Sequence, residues 1–393
     1  MTKPKSIWLV SGGPMQLCAA RRIKDFGYNL IVSDRDPHCA CIDLADYFIE
    51  IDTRDSDGHV LQVGNVNDRF DVSAVFTTAS DSHFTVARLA QVFGLHGLSP
   101  FISHKCLFKN STRQVLSTCE IPQPRMMIAN TYDNARAIIE NEFSGACVIK
   151  SCDNSGSRGF SFITDLSQFT EEIFRRAVMN SSTSLVIIEE ILEPITNEIA
   201  EQSVETFWFN GQMFWLNWVD RLFRDDLKCL LNLDVYPPGV EIGHLNPAIH
   251  SEDMRVQTES MIERAGRAIG MDEEKGGHIL KADVMQTVEG PVILELTPRL
   301  SGGWDSSLST IKRGGDFVGG AISMALGERS CSNLLSAYFR FLDEEKHVAI
   351  LSDYEDWKDC STRQFYLGVS NNRQDALDIA RFHLKERKYV LLV

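Results

Sequence analysis

Residues 293–303 read ILELTPRLSGG. In an extended chain successive side chains point to opposite faces, so Ile293, Glu295, Thr297 and Arg299 share one side while Leu294, Leu296 and Pro298 share the other. An acid, a hydroxyl and a guanidinium in line are poor filling for a core. The preceding residues extend this to HILKADVMQTVEGPVILELTPR, which reads as a hairpin turning near Glu289. Antiparallel pairing then sets Asp283 opposite Glu295 and Lys281 opposite Thr297. Two facing carboxylates repel unless something positive lies between them. Hard oxygen donors at that separation suit Mg²⁺, which takes one or two carboxylates and leaves its other positions to water and phosphate oxygens. Arg299 can grip a phosphate or carboxylate with two parallel hydrogen bonds, and Gly302 and Gly303 allow backbone amides close to a ligand. A solvated hairpin face is the plain alternative, and this stretch alone does not separate the two.

Two other stretches bear on the same chemistry. In VIKSCDNSGSRG, Lys150 ends an apolar strand, where an ammonium needs a partner, and a loop of small polar residues follows. Backbone N–H groups of such a loop can fold over phosphate oxygens, with Lys150 and Arg158 supplying charge; an ordinary flexible loop has the same composition. The lysine precedes the glycines, so this is not a Walker loop. In VIIEEILE two acids follow an apolar strand, and the backbone there can offer one N–H and one C=O to an adenine edge. Glu201, farther on, can accept a hydrogen bond from a ribose. A plain strand-to-loop transition is the alternative.

The elements that must position these residues fall into three regions. Up to about residue 103, strand and helix signals alternate: SIWLVSGG, MQLCAARRIKDFGYN, LIVSDRD, ADYFIEID, VSAVFTTASD and SHFTVARLAQVFGL. This is the pattern of a parallel α/β layer. Its first turn, Gly12-Gly13-Pro14, with Asp34 downstream, invites a dinucleotide reading, but the third spaced glycine is missing and Pro14 removes a backbone donor; a tight strand-to-helix turn is the better reading. Residues 104–326 are α+β. They hold a helix KCLFKNSTRQVLSTC, strands around Lys150, a hairpin VETFWFNGQMFWLNWV turning at Asn210-Gly211, a helix SEDMRVQTESMIERAGRAIG, and the hairpin described above. Residues 327–393 read as a small α+β cap with strands SAYFRFLD, KHVAILSD, RQFYLGVS and KYVLLV and one helix.

Bulk properties exclude several classes. The chain has 393 residues, 44% hydrophobic and 24% charged, which is globular and large enough for two or three domains. A formal charge of −15 argues against a nucleic-acid surface. Ten cysteines, scattered except for Cys39 and Cys41, suit a reducing, cytoplasmic compartment. The opening MTKPKSIWLVSGG reads as neither signal peptide nor membrane span, and no later run is long and apolar enough to cross a bilayer. His38, Cys39 and Cys41 lack a second ligand pair at zinc spacing. The aromatic run from Phe207 to Trp218 reads as sheet packing, and no nucleophile elbow is present.

Taken in order, these features resemble the ATP-grasp superfamily of carboxylate-amine and carboxylate-thiol ligases, which includes carbamoyl-phosphate synthetase, biotin carboxylase and the amino-acid ligases. The resemblance covers nearly the whole chain. It implies a pre-ATP-grasp α/β domain at 1–103, an ATP-grasp domain at 104–326 whose lid subdomain spans about 113–188, and a C-terminal α+β segment at 327–393. In HKCLFKNSTRQVLSTCEIPQPR, Lys105 matches the first nucleotide-phosphate lysine, with His104 where the family usually has Asp. Lys150 matches the second lysine, and Ser155, Gly156 and Ser157 fall in the flexible glycine loop. Glu189, Glu190 and Leu192 match the hinge that reads adenine, and Glu201 the acid that holds ribose. KADV and ILELTPRLSGG match the metal strands, with Asp283 and Glu295 as Mg²⁺ ligands, Thr297 where the third ligand is usually Asn, and Arg299 on the transferred phosphate or the substrate carboxylate.

The activity so implied is ATP-dependent: a small carboxylate, an amino acid among the candidates, becomes an acylphosphate that an amine attacks, with release of ADP and phosphate. ATP and Mg²⁺ are the implied cofactors. Small-molecule carboxylate and amine substrates are the implied partners, without nucleic acid or membrane, and a homodimer is in keeping with the superfamily. Formation of carboxyphosphate from bicarbonate is a second reading. A nucleotide-binding regulator that has lost turnover is a third, supported by Thr297 and His104. Acceptor chemistry is not encoded in these motifs; Arg221 and Arg224 in the segment 221–244 are candidates to bind a carboxylate, and His278 to orient a ligand.

Overall fold

The structure is a computed structural model that describes all residues except 1–2, 155, 157, 197, 224–238, 340–341, 355–362 and 389–393. The first layer follows the expected alternation: β1 (Lys5–Val10), α1 (Leu17–Asp25), β2 (Asn29–Asp34), β3 (Tyr47–Glu50), α2 (Ser56–Arg69), β4 (Asp71–Phe76) and α3 (His83–Phe93). The four strands are parallel in the order β3-β2-β1-β4. Their near-continuous apolar runs are buried because helices cover both faces. Helix α2 was not anticipated; its glycine and asparagines blur the apolar stripe, while Asp55 caps its N-terminus by accepting from the Gly58 N–H. The chain turns from one side of the sheet to the other between β1 and β4, so the loops after these two strands form a crevice at their C-terminal ends.

The single helix expected over residues 105–119 is two. Helix α4 (Pro100–Leu107) ends at Phe108, whose extended backbone (φ −104°, ψ 117°) starts α5 (Lys109–Thr118) in a new direction. A small antiparallel sheet follows, ordered β5-β8-β6-β7 and formed by β5 (Met126–Ala129), β6 (Cys147–Ser151), β7 (Ser161–Ile163) and β8 (Val186–Glu189). Helices α6 (Tyr132–Glu142) and α7 (Glu171–Met179) cover it, around a core of Ile139, Ile149, Phe169 and Ile188.

The third sheet has seven strands in the order β13-β12-β9-β10-β11-β14-β15. Its first four positions are two hairpins, β9 (Glu201–Phe209) with β10 (Gln212–Leu222), and β12 (Gly277–Thr287) with β13 (Gly290–Thr297). Both central residues of the Asn210-Gly211 turn have positive φ, as a two-residue turn of matched twist requires. Strand β11 (Gly243–Asn246) joins β10 to β14 (His347–Tyr354) and β15 (Arg363–Ser370), so the last two strands extend this sheet. Helix α8 (Glu252–Ile269) lies so close on one face that a Cβ at Gly266 would sit 2.1 Å from the Trp208 ring. The aromatic run of the first hairpin does pack the sheet: Phe207 and Trp208 are fully buried on its two faces.

Beyond β13 the chain makes a five-residue π-helical turn at Asp305–Ser309, then α9 (Thr310–Lys312), α10 (Phe317–Ala325) and α11 (Cys331–Ala337). SAYFRFLD, expected as a strand, instead begins as the end of α11, and its described residues form no strand. Helix α12 (Arg373–Lys385) closes the chain, with Arg373 paired to Asp220 of β10 and donating to the Pro247 carbonyl at 2.7 Å. KYVLLV lies almost wholly outside the described residues.

Candidate active site

The hairpin of β12 and β13 has the register its turn demanded: Asp283 faces Glu295 and Lys281 faces Thr297. Each acid has a cation against it. Lys281 Nζ is 2.5 Å from Asp283 Oδ2, and Arg221 from β10 reaches the same oxygen at 3.4 Å. Lys109 Nζ is 3.0 Å from Glu295 Oε1. Burial opposes ionisation of Glu295, but Lys109, Lys281 and Arg299 outweigh it and hold the carboxyl well below the usual range. Asp283 Oδ1 is buried and has no hydrogen-bond partner among the described residues. That orphaned hard oxygen, facing a second carboxylate across one strand pair, fits a divalent cation such as Mg²⁺. Thr297 is buried on the same face and presents a hydroxyl.

Lys105 does not join this group. Its ammonium lies over the Phe101 ring and donates to the Ile269 carbonyl at 3.1 Å. Lys109, the first residue of α5, is the lysine that lies against Glu295, and it also donates to the Asn154 carbonyl at 2.7 Å, under the loop that follows β6. His104 packs between the rings of Phe84 and Phe108.

Lys150 is where its position at the end of an apolar strand requires a partner, 2.6 Å from Glu189 Oε2. The other oxygen of Glu189 accepts from Arg113 Nε at 2.8 Å. Burial would raise the Glu189 carboxyl, yet these two cations hold it at about 2. Glu189 is therefore a buried anchor with no side-chain atom left facing a ligand. Arg113 also donates to the Ile293 and Leu294 carbonyls, at 3.0 and 2.7 Å, and so ties the small sheet to β13. Sequence reasoning missed both Arg113 and Lys109, since an arginine or lysine inside an amphipathic helix carries no local mark of burial. Glu190 accepts from the Arg125 N–H at 2.6 Å and donates its own N–H to the Arg125 carbonyl, pinning the segment after β8 to the start of β5. Leu192 is half-buried just beyond it.

Glu201 opens β9 and pairs with Arg221, which also holds Glu241 at 3.0 Å. Burial, with Asp283 adding to it against the pull of Arg221, pushes the Glu201 carboxyl up to about 7. Arg299 lies 3.2 Å from Asp81 in the loop after β4, and Arg158 reaches the other Asp81 oxygen at 3.4 Å. The turn after Arg299 is held from below: the Ser301 N–H and the Ser306 hydroxyl donate to Glu205, and Asn217 bridges Glu205 and Asp305 at 3.3 and 3.1 Å. Gly156 has φ 64°, as a close-approach loop needs, while Ser155, Ser157 and Arg224 lie outside the described residues.

Other candidates have structural roles. Asp34 accepts from the Gly12 N–H at 2.7 Å, which closes the first turn, and a Cβ at Gly12 would meet Cys39 Sγ at 2.4 Å. Cys39 and Cys41 are core residues, and burial pushes the Cys41 thiol up to about 12. His278 lies beside His96 with tilted rings whose centroids are 4.9 Å apart, bonds the Lys275 carbonyl at 3.0 Å and has Glu274 at 3.9 Å.

This arrangement of sheets recurs in solved structures. An L-amino acid ligase from Bacillus licheniformis superposes with a TM-score of 0.73 over 98% of both chains at 14% identity. The chain has the ATP-grasp fold. A biotin carboxylase–βγ-ATP complex from Campylobacter jejuni shares that fold with a TM-score of 0.63 at 17% identity, over 89% of this chain and 76% of that one. No protein-family profile matches the sequence. Among curated proteins, uncharacterized protein y4rH from Sinorhizobium fredii is 25% identical over 285 residues, 71% of this chain. The chain spans about half of that relative's length, 54%. Lys150 of the small antiparallel sheet is linked to strand β13 of the seven-stranded sheet through Glu189 and Arg113.

Proposed function

We propose that this chain is an ATP-dependent ligase that activates a small carboxylate as an acylphosphate and joins it to an amine. The observation that carries the reading is the convergence of Lys109, Glu295, Asp283 and Arg299 on one face, with Lys150 linked to it through Glu189 and Arg113. A carboxylate is a poor electrophile. Its oxygen attacks the γ-phosphorus of ATP, the bond to the β–γ bridging oxygen breaks, and ADP leaves. The amine nitrogen then attacks the acyl carbon, loses a proton, and phosphate departs with the C–O bonding pair. Lys109 and Lys150 suit the charge that spreads over the transferred phosphoryl oxygens. Mg²⁺, held by Asp283 and Glu295 with Thr297 beside them, would supply further neutralisation of the same oxygens.

ATP as the donor is supported by the fold and by the βγ-ATP ligand of the C. jejuni carboxylase. In this reading the backbone from Glu190 to Leu192 meets adenine, Glu201 accepts from ribose, and the loop through Ser155, Gly156 and Ser157 covers the phosphates. Substrates are small molecules, and no helix of the described residues is long and apolar enough to cross a membrane.

Phosphate release from Mg-ATP, screened against pooled small carboxylates with and without amines, tests the reading. Release that requires one carboxylate and yields its amide is the expected result. Glu295→Gln should lose ADP formation while the variant stays folded and binds nucleotide; full activity in that variant would overturn the site.

A further inference from the structure

The segment between β8 and β9, residues 190–200, joins the small antiparallel sheet to the seven-stranded sheet and begins with the backbone proposed to meet adenine. Its later part is laced to β12. The Ile195 N–H donates to the Gln286 carbonyl at 3.0 Å, and the Gln286 N–H donates to the Ala200 carbonyl at 2.7 Å. Between these two bonds stands Glu198, whose Oε2 lies 2.7 Å from Nδ1 of His250. His250 precedes the Ser251 cap of α8, and its side chain is only 1% exposed.

The other nitrogen of this ring has two neighbours that make opposite demands on it. Nε2 is 2.7 Å from Asp220 Oδ1, a carboxylate oxygen that accepts, and 2.8 Å from Gln202 Nε2, an amide nitrogen that donates. The amide of Gln202 is held in this orientation, because its oxygen accepts from Trp218 Nε1 at 3.2 Å and from Gln286 Nε2 at 2.9 Å. A charged ring therefore donates to Glu198 and Asp220. A neutral ring keeps its proton on Nδ1 for Glu198, accepts from Gln202, and leaves Asp220 to Arg373 of α12. The charged groups that bear on the ring are Asp220 from β10 and Glu198 from the segment; the Trp218 ring lies beside it with centroids 5.0 Å apart. The first turn of α8 adds Asp253 and Glu252, the latter paired with Arg255 at 2.7 Å. Burial opposes the charged ring, but the hydrogen bonds and attraction of Asp220 and Glu198 outweigh it and raise its pKa above 6.5.

We infer that His250 is a proton-operated latch on this segment: charged, it ties Glu198 to Asp220 and holds the segment against the seven-stranded sheet, and neutral, it gives up Asp220 and loosens the segment. Charge-assisted hydrogen bonds are the stronger kind, so the protonated ring is the closed state of the latch. A group with a raised pKa holds its contribution at low pH and loses it as pH rises through the raised value. Nucleotide affinity should fall in the same interval. That consequence rests on the ligase reading, which places adenine at Glu190 to Leu192, whereas the latch itself does not.

Two measurements on the full chain test it from about pH 6 to about pH 9, the span in which a raised histidine pKa is read. Nitrogen-15 NMR of the histidine rings, with His250→Gln assigning the signal, follows the proton. Calorimetry with Mg²⁺ and a non-hydrolysable ATP analogue follows affinity, and amide hydrogen exchange at Ile195, corrected for its intrinsic pH dependence, follows the segment without nucleotide. The unaltered chain should lose about ten-fold more affinity over this span than His250→Gln, with the midpoint of the difference at the titration of the ring. Glu201 titrates alike in both chains, so the difference isolates His250. Glu198→Gln, a change at a half-exposed position, should lower the ring pKa and carry the affinity midpoint down with it. Coincident affinity curves, tighter binding at the alkaline end, or a ring that titrates below 6.5 would overturn the inference. Ile195 exchange that quickens with loss of the ring proton, in a chain that binds no analogue at any pH, would sink the nucleotide reading and leave the latch. Analogue binding and Ile195 exchange that are both indifferent to His250→Gln would sink the latch and leave the ligase.

Discussion

Lys109 Nζ sits 3.0 Å from Glu295 Oε1, while Lys105, four residues earlier, turns away to the Ile269 carbonyl. In the proposed reading, Lys109 is the lysine placed to meet phosphate oxygens beside Glu295. Lys109→Met is expected to lower phosphate release by at least ~100-fold, in the range seen when one preorganised electrostatic contact is removed. Lys105→Met should stay within about three-fold of the unaltered chain, a surface-type effect. Steady-state kinetics on the two variants decides between them, and the reverse ranking would reinstate Lys105.

Arg113 couples α5, β8 and β13 through one guanidinium. Arg113→Leu leaves the Glu189 carboxylate with Lys150 alone and frees two carbonyls of β13. Loss of one partner from a buried pair costs roughly 3–5 kcal/mol, so the urea midpoint should fall sharply. A shift no larger than that of an exposed arginine such as Arg175 would contradict the role given to it.

Glu189 also sets an acid limb. Its folded-state pKa, about 2, lies below the ordinary 4.5, so its ion pairs stabilise fully above that ordinary value and lose their effect as pH falls toward 2. Stability measured from pH 5 to 2 should therefore drop more steeply in the unaltered chain than in Glu189→Gln. Parallel curves would mean that the pairs contribute nothing to acid unfolding.

Asp305 behaves in the opposite sense. Burial first, then the nearby Glu205 carboxylate, raise its pKa well above 3.8, despite the hydrogen bonds from Ser309 and Asn217. The folded state then holds a proton that the unfolded chain releases, so this residue's contribution declines as pH rises above about 4. Asp305→Asn removes that decline. Relative to the unaltered chain it should gain stability as pH rises above about 4, read from thermal midpoints; a constant offset would refute the assignment.

Gly266 is required for packing. A methyl group there would lie 2.1 Å from Trp208 Cζ2, and both Gly266 and the ring are buried. Gly266→Ala raises helix propensity by about 1 kcal/mol, but overpacking costs about 1–3 kcal/mol. The expected outcome is net destabilisation in urea unfolding.

Much of this protein was decided along the chain. Alternation of strand and helix determined the parallel first layer, because apolar runs and amphipathic helices carry different periods. The Asn210-Gly211 turn and the turn near Glu289 determined two hairpins, and a period of two then placed Asp283 across from Glu295 without tertiary information. Lys150 was legible for a related reason, since a charge that ends a buried strand must be paired.

Tertiary structure decided what local pattern leaves degenerate. Lys105 and Lys109 are four apart and would share one face of a continuous helix; the extended backbone at Phe108 separates them, and that break follows from how α4 and α5 pack. SAYFRFLD has strand composition, yet its first residues finish α11, because position in the fold overrides a weak propensity. Asp81 and Arg299 are 218 residues apart and meet only when the first layer docks against the seven-stranded sheet. Periodicity reports which face a side chain takes, not what it will face, and that partner is supplied by the rest of the chain.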